Sequence, residues 1–491
     1  MTARRARWAI PAAIGIVAAA CTSPPTAGDN EAADGEAADG EAAGDNRLPE
    51  CPLDALEEAT GPVEVTLWFG GIGGSVQATL EDMVARFNQS QDEVVVTAAS
   101  QGTSFDEVFR NYESAASANQ GPDLVQLSDN ELRAMVDRGE VLPAEACMEA
   151  DGFDVADIDP VVRANYTVDG TFYPGFAWPT SLVLYYNKAH WERAGLDPED
   201  PPDTLDEVAE AARVIKDRGV AEKPFAFKTT EAMFKKWLNG VGVDMVNAGN
   251  GREGQATEAT FNTPQARELL EQLQAMNDEG LLNPFPETEG GIDQYLAIVT
   301  QQSSMLVETS GAATNIVDAL SGTLTPEDVG AEFDPSGVDL DQLIPGTAPF
   351  PGIEPTGDTL PGGGIFFILN TSEPAQQAAS WRFLRFMLET DNVRQWHLRG
   401  SYLPVRTSTQ DDPQLEQFWE DDLAGALLRT SVDQLQAADP DQPGPLIGPF
   451  TDYSDALDEM MEAVLINDAD VQSALDRAEE RVTEALERYA G

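Results

Sequence analysis

At 491 residues the chain is too long for one ordinary domain and suits two or three of roughly 100–200 residues each. Hydrophobic residues make up 42%, which is enough to bury a sizeable core and excludes global disorder. With 29 Lys and Arg against 86 Asp and Glu the net charge is −57. That argues against a nucleic-acid partner, which needs clustered cations to displace counterions. Two His and three Cys leave little room for a zinc site, so neither a metal nor a cofactor is expected.

Arg4, Arg5 and Arg7 precede an apolar run from Trp8 to Ala20. A run of about a dozen residues is too short to span a hydrocarbon core of ~30 Å, and residues 1–20 read as a secretory signal. The small residues Ala18, Ala19 and Ala20 stop at Cys21, which resembles the lipobox of bacterial lipoproteins. That resemblance implies an acylated Cys21, the alternative being an ordinary signal peptide with an incidental cysteine. Residues 21–50 read as an acidic tether: the unit D-G-E-A-A repeats without large apolar side chains and cannot offset its own ordering entropy. The expected location is the outer face of the cell membrane, held by lipid. Cys51 and Cys147 remain. Outside the cell a disulfide is expected, closing a loop of roughly 100 residues and stabilising by about 4 kcal/mol; two buried free thiols are the alternative.

Along the body, Val63, Val65, Leu67 and Phe69 alternate as one face of a strand, and glycines 70, 71, 73 and 74 follow as a turn. Val76, Leu80, Val84 and Phe87 then fall at helical spacing. A strand Val94–Thr97, a helix near Phe105–Ala118 and a strand Asp123–Leu127 complete a β-α-β-α-β order, which implies a parallel sheet covered by helices. A second such region opens at Ser181–Tyr186. Thr204 and Glu207 form a capping box for the helix that Gly219 closes, and Thr263-Pro264 starts another that ends at Gly280. Strands Met305–Glu308 and Ile365–Leu369 follow, then helices around Ala375–Glu389, Asn392–His397 and Asp452–Tyr489. The fold class is α/β with at least two sheet regions.

Several strings, in order, carry a resemblance: VEVTLWFGG (63–71), ARFNQSQ (85–91), GPDLVQL (121–127), LYYNKAHWERAGLDPEDPPDTLDE (184–207), MLVETSGA (305–312), PGGG (361–364) and SYLPVR (401–406). Together they resemble the extracellular solute-binding proteins of ABC importers, in the sugar-binding class, near the branch that includes glycerol-3-phosphate-binding members. The resemblance implies a two-lobed periplasmic-binding-protein-like fold with a ligand cleft between lobes. By analogy the first lobe is 62–176 plus 308–368 and the second 177–307 plus 369–491. Crossings are expected near Tyr173–Trp178, Val307–Ser310 and Leu369–Thr371. The implied partners are a sugar or polyol and the permease subunits of an ABC transporter.

A polyol needs aromatic faces for its C–H surface and polar groups for its hydroxyls. Trp68, at the end of the first strand, reads as a stacking platform. Phe105 matches an aromatic position near the ligand in the family, and Asp129 stands where relatives place an acidic hydroxyl acceptor. Trp178 could stack at the lobe entry. Thr180 aligns with a ligand-facing Ser of relatives, Ser310 with a ligand-contacting Ser, and Tyr402 with a ligand-contacting Tyr. Gly363 would present its backbone N–H. For each, core packing, a cap or a plain turn is the structural alternative. Phosphate-binding relatives carry an Arg where Leu446 stands. Because a phosphate buried without a cation is costly, an uncharged sugar is the expected ligand.

The rivals are a secreted lipoprotein glycoside hydrolase working with two carboxylates and a receptor that shows its closed form to a sensor. No H-E-x-x-H, G-x-S-x-G or G-x-x-x-x-G-K-[ST] string is present, no catalytic residue is singled out, and His190 and His397 read as packing residues.

Overall fold

The computed structural model describes residues 48–72, 74–286, 293–321, 340–355 and 360–491. The expected signal, Cys21, most of the tether and Gly73 lie outside these residues. Strands form where the sequence alternates or runs apolar. They are β1 (Val63–Phe69), β2 (Val94–Ser100), β3 (Leu124–Ser128), β4 (Val141–Leu142), β5 (Thr167–Val168), β6 (Thr171–Phe172), β7 (Phe176–Thr180), β8 (Leu182–Asn187), β9 (Phe225–Lys228), β10 (Leu282–Phe285), β11 (Met305–Thr309), β12 (Pro345–Pro349) and β13 (Gly362–Leu369).

They assemble into two main sheets. The first runs β2-β1-β3-β13-β4, with β7 also paired to β13; the second runs β10-β9-β11-β8-β12; β5 and β6 make a small separate pair. β1 is parallel to β2 and β3, as its β-α-β-α-β order requires, and β13 enters antiparallel to β3. In the second sheet β9 is parallel to β10 and β11, whereas β8 is antiparallel to β11 and β12.

Each sheet has its own core. Val65, Leu67 and Phe69 of β1 join Leu80 and Phe87 of the helix Gly74–Ser90 and Phe383, Leu384 and Trp396 of the helices Pro374–Met387 and Thr390–Gly400. β8 is buried on both faces, as its unbroken apolar run demands. Leu182, Leu184 and Tyr186 face the helices Leu205–Asp217, Glu231–Asn239, Pro264–Asp278, Phe450–Leu465 and Val471–Ala490. Val183 and Tyr185 face Asp293–Val299 and Ala312–Ser321. The Thr204–Glu207 capping box is formed. Cys51 and Cys147 are joined, with their Cα atoms 4.9 Å apart, which fixes the start of the described chain to the helix Ala144–Asp151.

The strand pairing moves the expected lobe boundaries. β12, expected in the first lobe, pairs with β8 of the second sheet, and Ala312–Ser321 packs under that same sheet. Residues 374–419, expected in the second lobe, supply Trp381, Phe383, Trp396 and Trp419 to the first core. The chain leaves the first sheet at Thr180–Leu182, returns between Pro349 and Gly362, and passes back through the helix Leu423–Ala437, whose Val432 and Leu435 join the first core while Leu427 and Leu428 pack under the second sheet. The first crossing therefore lies just after the expected Tyr173–Trp178 and the second shortly before the expected Leu369–Thr371, whereas β11, which carries Val307–Thr309, stays paired within the second sheet.

Candidate functional site

β7 and β8 are separated by Ser181 alone, so one short segment serves both sheets. A cavity of about 740 Å³ opens there, lined by residues of both sheet regions, in the size range of small-molecule sites. Of the eight expected residues, Phe105, Asp129, Trp178, Thr180, Gly363 and Tyr402 line it; Trp68 and Ser310 do not.

The aromatic wall is a stack. The Trp178 ring lies 4.9 Å from Trp396 at an interplanar angle of 7°, and 5.4 Å from Tyr402 at 23°. Trp396 and Tyr402 are 5.8 Å apart at 21°. Trp178 is fully buried and Tyr402 half-buried, so Tyr402 is the member with ring surface left for another molecule. Two glycines make room for the stack. A Cβ on Gly364 would sit 1.9 Å from Trp178 Nε1, and one on Gly363 would sit 2.4 Å from the Trp178 carbonyl oxygen. Gly363 also has φ +147°, a conformation side-chain-bearing residues avoid. His397 holds the backbone beside the stack. Its Nδ1–H donates to the Tyr402 carbonyl at 2.7 Å, and its Nε2 accepts from Trp419 Nε1–H at 2.8 Å. Burial pushes this imidazole down to about 4, so it is neutral near neutral pH. His190 is also buried, with Nδ1 2.7 Å from Ser304 Oγ.

The polar groups come from the turn after β3 and the start of β13. Asp129 accepts from the Gly363 N–H at 3.1 Å and from the Tyr166 hydroxyl at 3.3 Å. The Gly363 N–H expected to face a solute is thus given to Asp129. Burial raises the Asp129 carboxyl above its ordinary value, with the Gly363 N–H, Lys235 and Lys236 acting against it. Thr180 Oγ1 donates to the Gly362 carbonyl at 2.9 Å. Phe105 opens a helix capped by Ser104, which accepts the Glu107 N–H at 3.2 Å, so the ring is fixed at a well-formed helix start.

Trp68 lies on the opposite face of β1 from Val65 and Leu67, between Ala99 and Val125, half-buried against the first core. Alternation along the strand turns it from its neighbours. Ser310 is fully buried; its N–H donates to Ser181 O at 2.8 Å and its hydroxyl to Ser401 O at 3.2 Å. Its polar atoms join the two sheet regions, while its neighbours Thr309 and Gly311 reach the cavity.

The second wall was not legible in advance. It includes Lys228, Lys235, Lys236, Arg252 and Phe450. Lys235 pairs with Glu231 at 3.1 Å and lies 5.4 Å from the Phe450 ring centroid. Lys236 donates to the Leu360 carbonyl. Arg252 is spent on carbonyls: Nε to Gly444 at 2.7 Å, Nη1 to Thr167 at 2.9 Å and Nη2 to Asn165 at 2.9 Å. Burial lowers its guanidinium to about 10. Leu446 lines the cavity as expected, and cations of the second sheet region line it as well. Acids outnumber them there. Among the described residues no cluster of His, Cys, Asp and Glu has metal-binding geometry, and no helix is long and apolar enough to cross a membrane.

Residues 82–424 match the model of a family described as bacterial extracellular solute-binding protein. The sn-glycerol-3-phosphate-binding periplasmic protein UgpB of Brucella abortus is 26% identical over 430 residues, covering 85% of this chain and 92% of the relative. Its counterpart in Pectobacterium atrosepticum is 23% identical over 439 residues, covering 88% and 93%. Among solved structures, the cyclic alpha-maltosyl-1,6-maltose binding protein of Arthrobacter globiformis superposes with a TM-score of 0.66 at 25% identity, covering 87% of this chain and 100% of its own. UgpB of Mycobacterium tuberculosis, in complex with glycerophosphocholine, gives 0.68 at 21% identity, covering 88% and 100%. The two-lobed α/β fold expected from the sequence is the fold of these neighbours.

Proposed function

Because the chain belongs to the family of bacterial extracellular solute-binding proteins, we propose that its cavity captures an uncharged sugar or related polyol outside the cell and delivers it, unaltered, to the permease of an ABC importer. The observation that carries this reading is the ring of Tyr402, backed by Trp178 and Trp396, facing the same cavity as Asp129 and Thr180. An aromatic face beside hydroxyl acceptors is what a polyol requires. Contacts made by both sheet regions reward a closed arrangement more than an open one, which gives the permease a shape to read. Phe105, Asp129, Trp178, Thr180, Gly363 and Tyr402 form the proposed site. Trp68 and Ser310 support it from behind, one through the first core and the other through the Ser181–Ser401 bridge.

Lipid attachment at Cys21, after removal of residues 1–20, is the proposed anchor on the outer membrane face, with residues 21–50 as the leash. Calorimetry on the chain from residue 22 against a panel of mono- and oligosaccharides tests the capture. Chromatography of the recovered sugar tests the absence of turnover, and hydrolysed product would favour the glycoside hydrolase. A second reading, a glycerophosphate ligand, is favoured by Lys228, Lys235 and Lys236 on the second wall and by the named ligands of the relatives. Displacement of a bound neutral sugar by sn-glycerol 3-phosphate, weakening steeply with salt, would establish it.

A further inference from the structure

Glu131 closes the 3-10 turn Asp129–Glu131 after β3 and lines the cavity, yet it is only 4% exposed. Its carboxyl has no hydrogen-bond partner among the described residues. The charged groups acting on it are Asp106 and Glu113, both on the helix Phe105–Ser117, and no cation offsets them. On its own turn, Asp129 is directed to Gly363 and Tyr166. On the helix that follows, Arg133 is held by Asp137, and Arg138 by Glu113 and Glu140. A buried carboxylate with acidic neighbours and no donor is strongly disfavoured, whereas the protonated acid costs far less and carries an O–H to give.

We propose that Glu131 is a neutral carboxylic acid that donates a hydrogen bond to an acceptor oxygen of the captured solute, so that capture weakens in mildly alkaline surroundings. The proposal rests on the cavity being the solute site. Its geometry is that of an unpartnered polar group, more than nine-tenths buried, bordering a cavity that accepts oxygen-rich molecules. Burial first, and then Asp106 and Glu113, push the carboxyl up to about 8, which places its ionisation just above neutrality. No solute is needed to read that ionisation. Once ionised, Glu131 can only accept, and the same solute oxygen would face a lone pair and a charge.

The test has two arms on the chain from residue 22. In the first, the carbon-13 carboxyl signal of Glu131, assigned by its absence in Glu131→Gln, is followed against pH without added solute. A midpoint near 8 is expected, and a midpoint in the ordinary carboxylate range of about 4–5 would overturn the proposal. In the second, the tightest-binding neutral sugar of a calorimetric panel is titrated at pH 7 and pH 9, with melting temperatures confirming that each variant is folded. Wild type is expected to lose about tenfold in affinity across that interval. Glu131→Leu is expected to bind about tenfold more weakly at pH 7, and Glu131→Gln, whose amide also donates, to recover most of that loss and to show no fall at pH 9. A Gln variant as weak as the Leu variant, or a wild-type profile parallel to that of Gln, would overturn the proposal. Failure of every sugar at both pH values would overturn the reading of the cavity as a sugar site instead, and the midpoint of the first arm would be unaffected by it.

Discussion

Arg252 offers a sharp test of how the two sheet regions are held around the cavity. Its guanidinium carries no carboxylate; its donors end on the carbonyls of Gly444, Thr167 and Asn165, with a longer contact of 3.4 Å to the Ala164 carbonyl. Asn165 closes the helix Pro160–Asn165, so Arg252 serves carbonyls that a helix end leaves unpaired. Gly444 lies on the last crossing segment, where the Leu446 N–H donates to Asn250 O at 3.0 Å and a Cβ on Gly251 would meet Leu446 O at 2.1 Å. The Arg252→Met change keeps the apolar stem and removes these bonds together. Each hydrogen bond from a charged donor contributes about 1.5–3 kcal/mol. Cavity water replaces part of this, and the desolvation cost of the guanidinium disappears, so a net loss of about 2–4 kcal/mol is expected. Urea unfolding measures it as a lower midpoint. The Arg252→Lys change should recover little, because one ammonium cannot match a three-pronged fork. A loss below about 0.5 kcal/mol for Arg252→Met would refute the claim that these bonds join the two regions.

Other outcomes follow from the same coordinates. Replacing Cys51 and Cys147 by Ser, which opens a link across a sequence separation of 96 residues, should lower unfolding stability by about 4 kcal/mol, read by urea unfolding of the oxidised protein against the double variant. His397 has its folded value depressed to about 4, below the ~6.5 of an unfolded imidazole. The unfolded chain therefore binds the proton first, and stability should fall as pH drops from about 6.5 towards 4; thermal melts should show that acid limb shrinking in His397→Gln. Gly364→Ala drives a methyl into Trp178 and should cost about 2–3 kcal/mol while disturbing the tryptophan emission of the stack.

Much of the architecture could be read from periodicity. β1 and β8 declared themselves by alternation and by an unbroken apolar run, and the Thr204–Glu207 box marked a helix start to the residue. β12 gave no such signal. Its sequence, Pro345-Gly-Thr-Ala-Pro349, lacks apolar alternation, and it forms at the edge of the second sheet, where a residue without an N–H does little harm. That one strand, and the packing of helices 374–400 on the first core, account for the shift in lobe boundaries. Within the site, Gly363 and Tyr402 sit in strings that carry a family resemblance, and both line the cavity. Tyr166, Lys235 and Glu131 lie in helices and turns whose local patterns are those of ordinary surface or core segments. Only the docking of one sheet region against the other brings Lys235 to the same cavity as Tyr166 and Glu131, and no local pattern encodes that docking. Trp68 shows the converse: a conspicuous residue beside glycines, turned by strand alternation into packing.

Intact capture is the central claim, and equilibrium calorimetry with recovery of the sugar addresses it most directly. The account predicts saturable binding of at least one mono- or oligosaccharide at one site per chain, loss of that binding in Tyr402→Ala by about tenfold or more, and recovery of the sugar unchanged. Absence of binding across the panel, or recovery of a cleaved product, would contradict it.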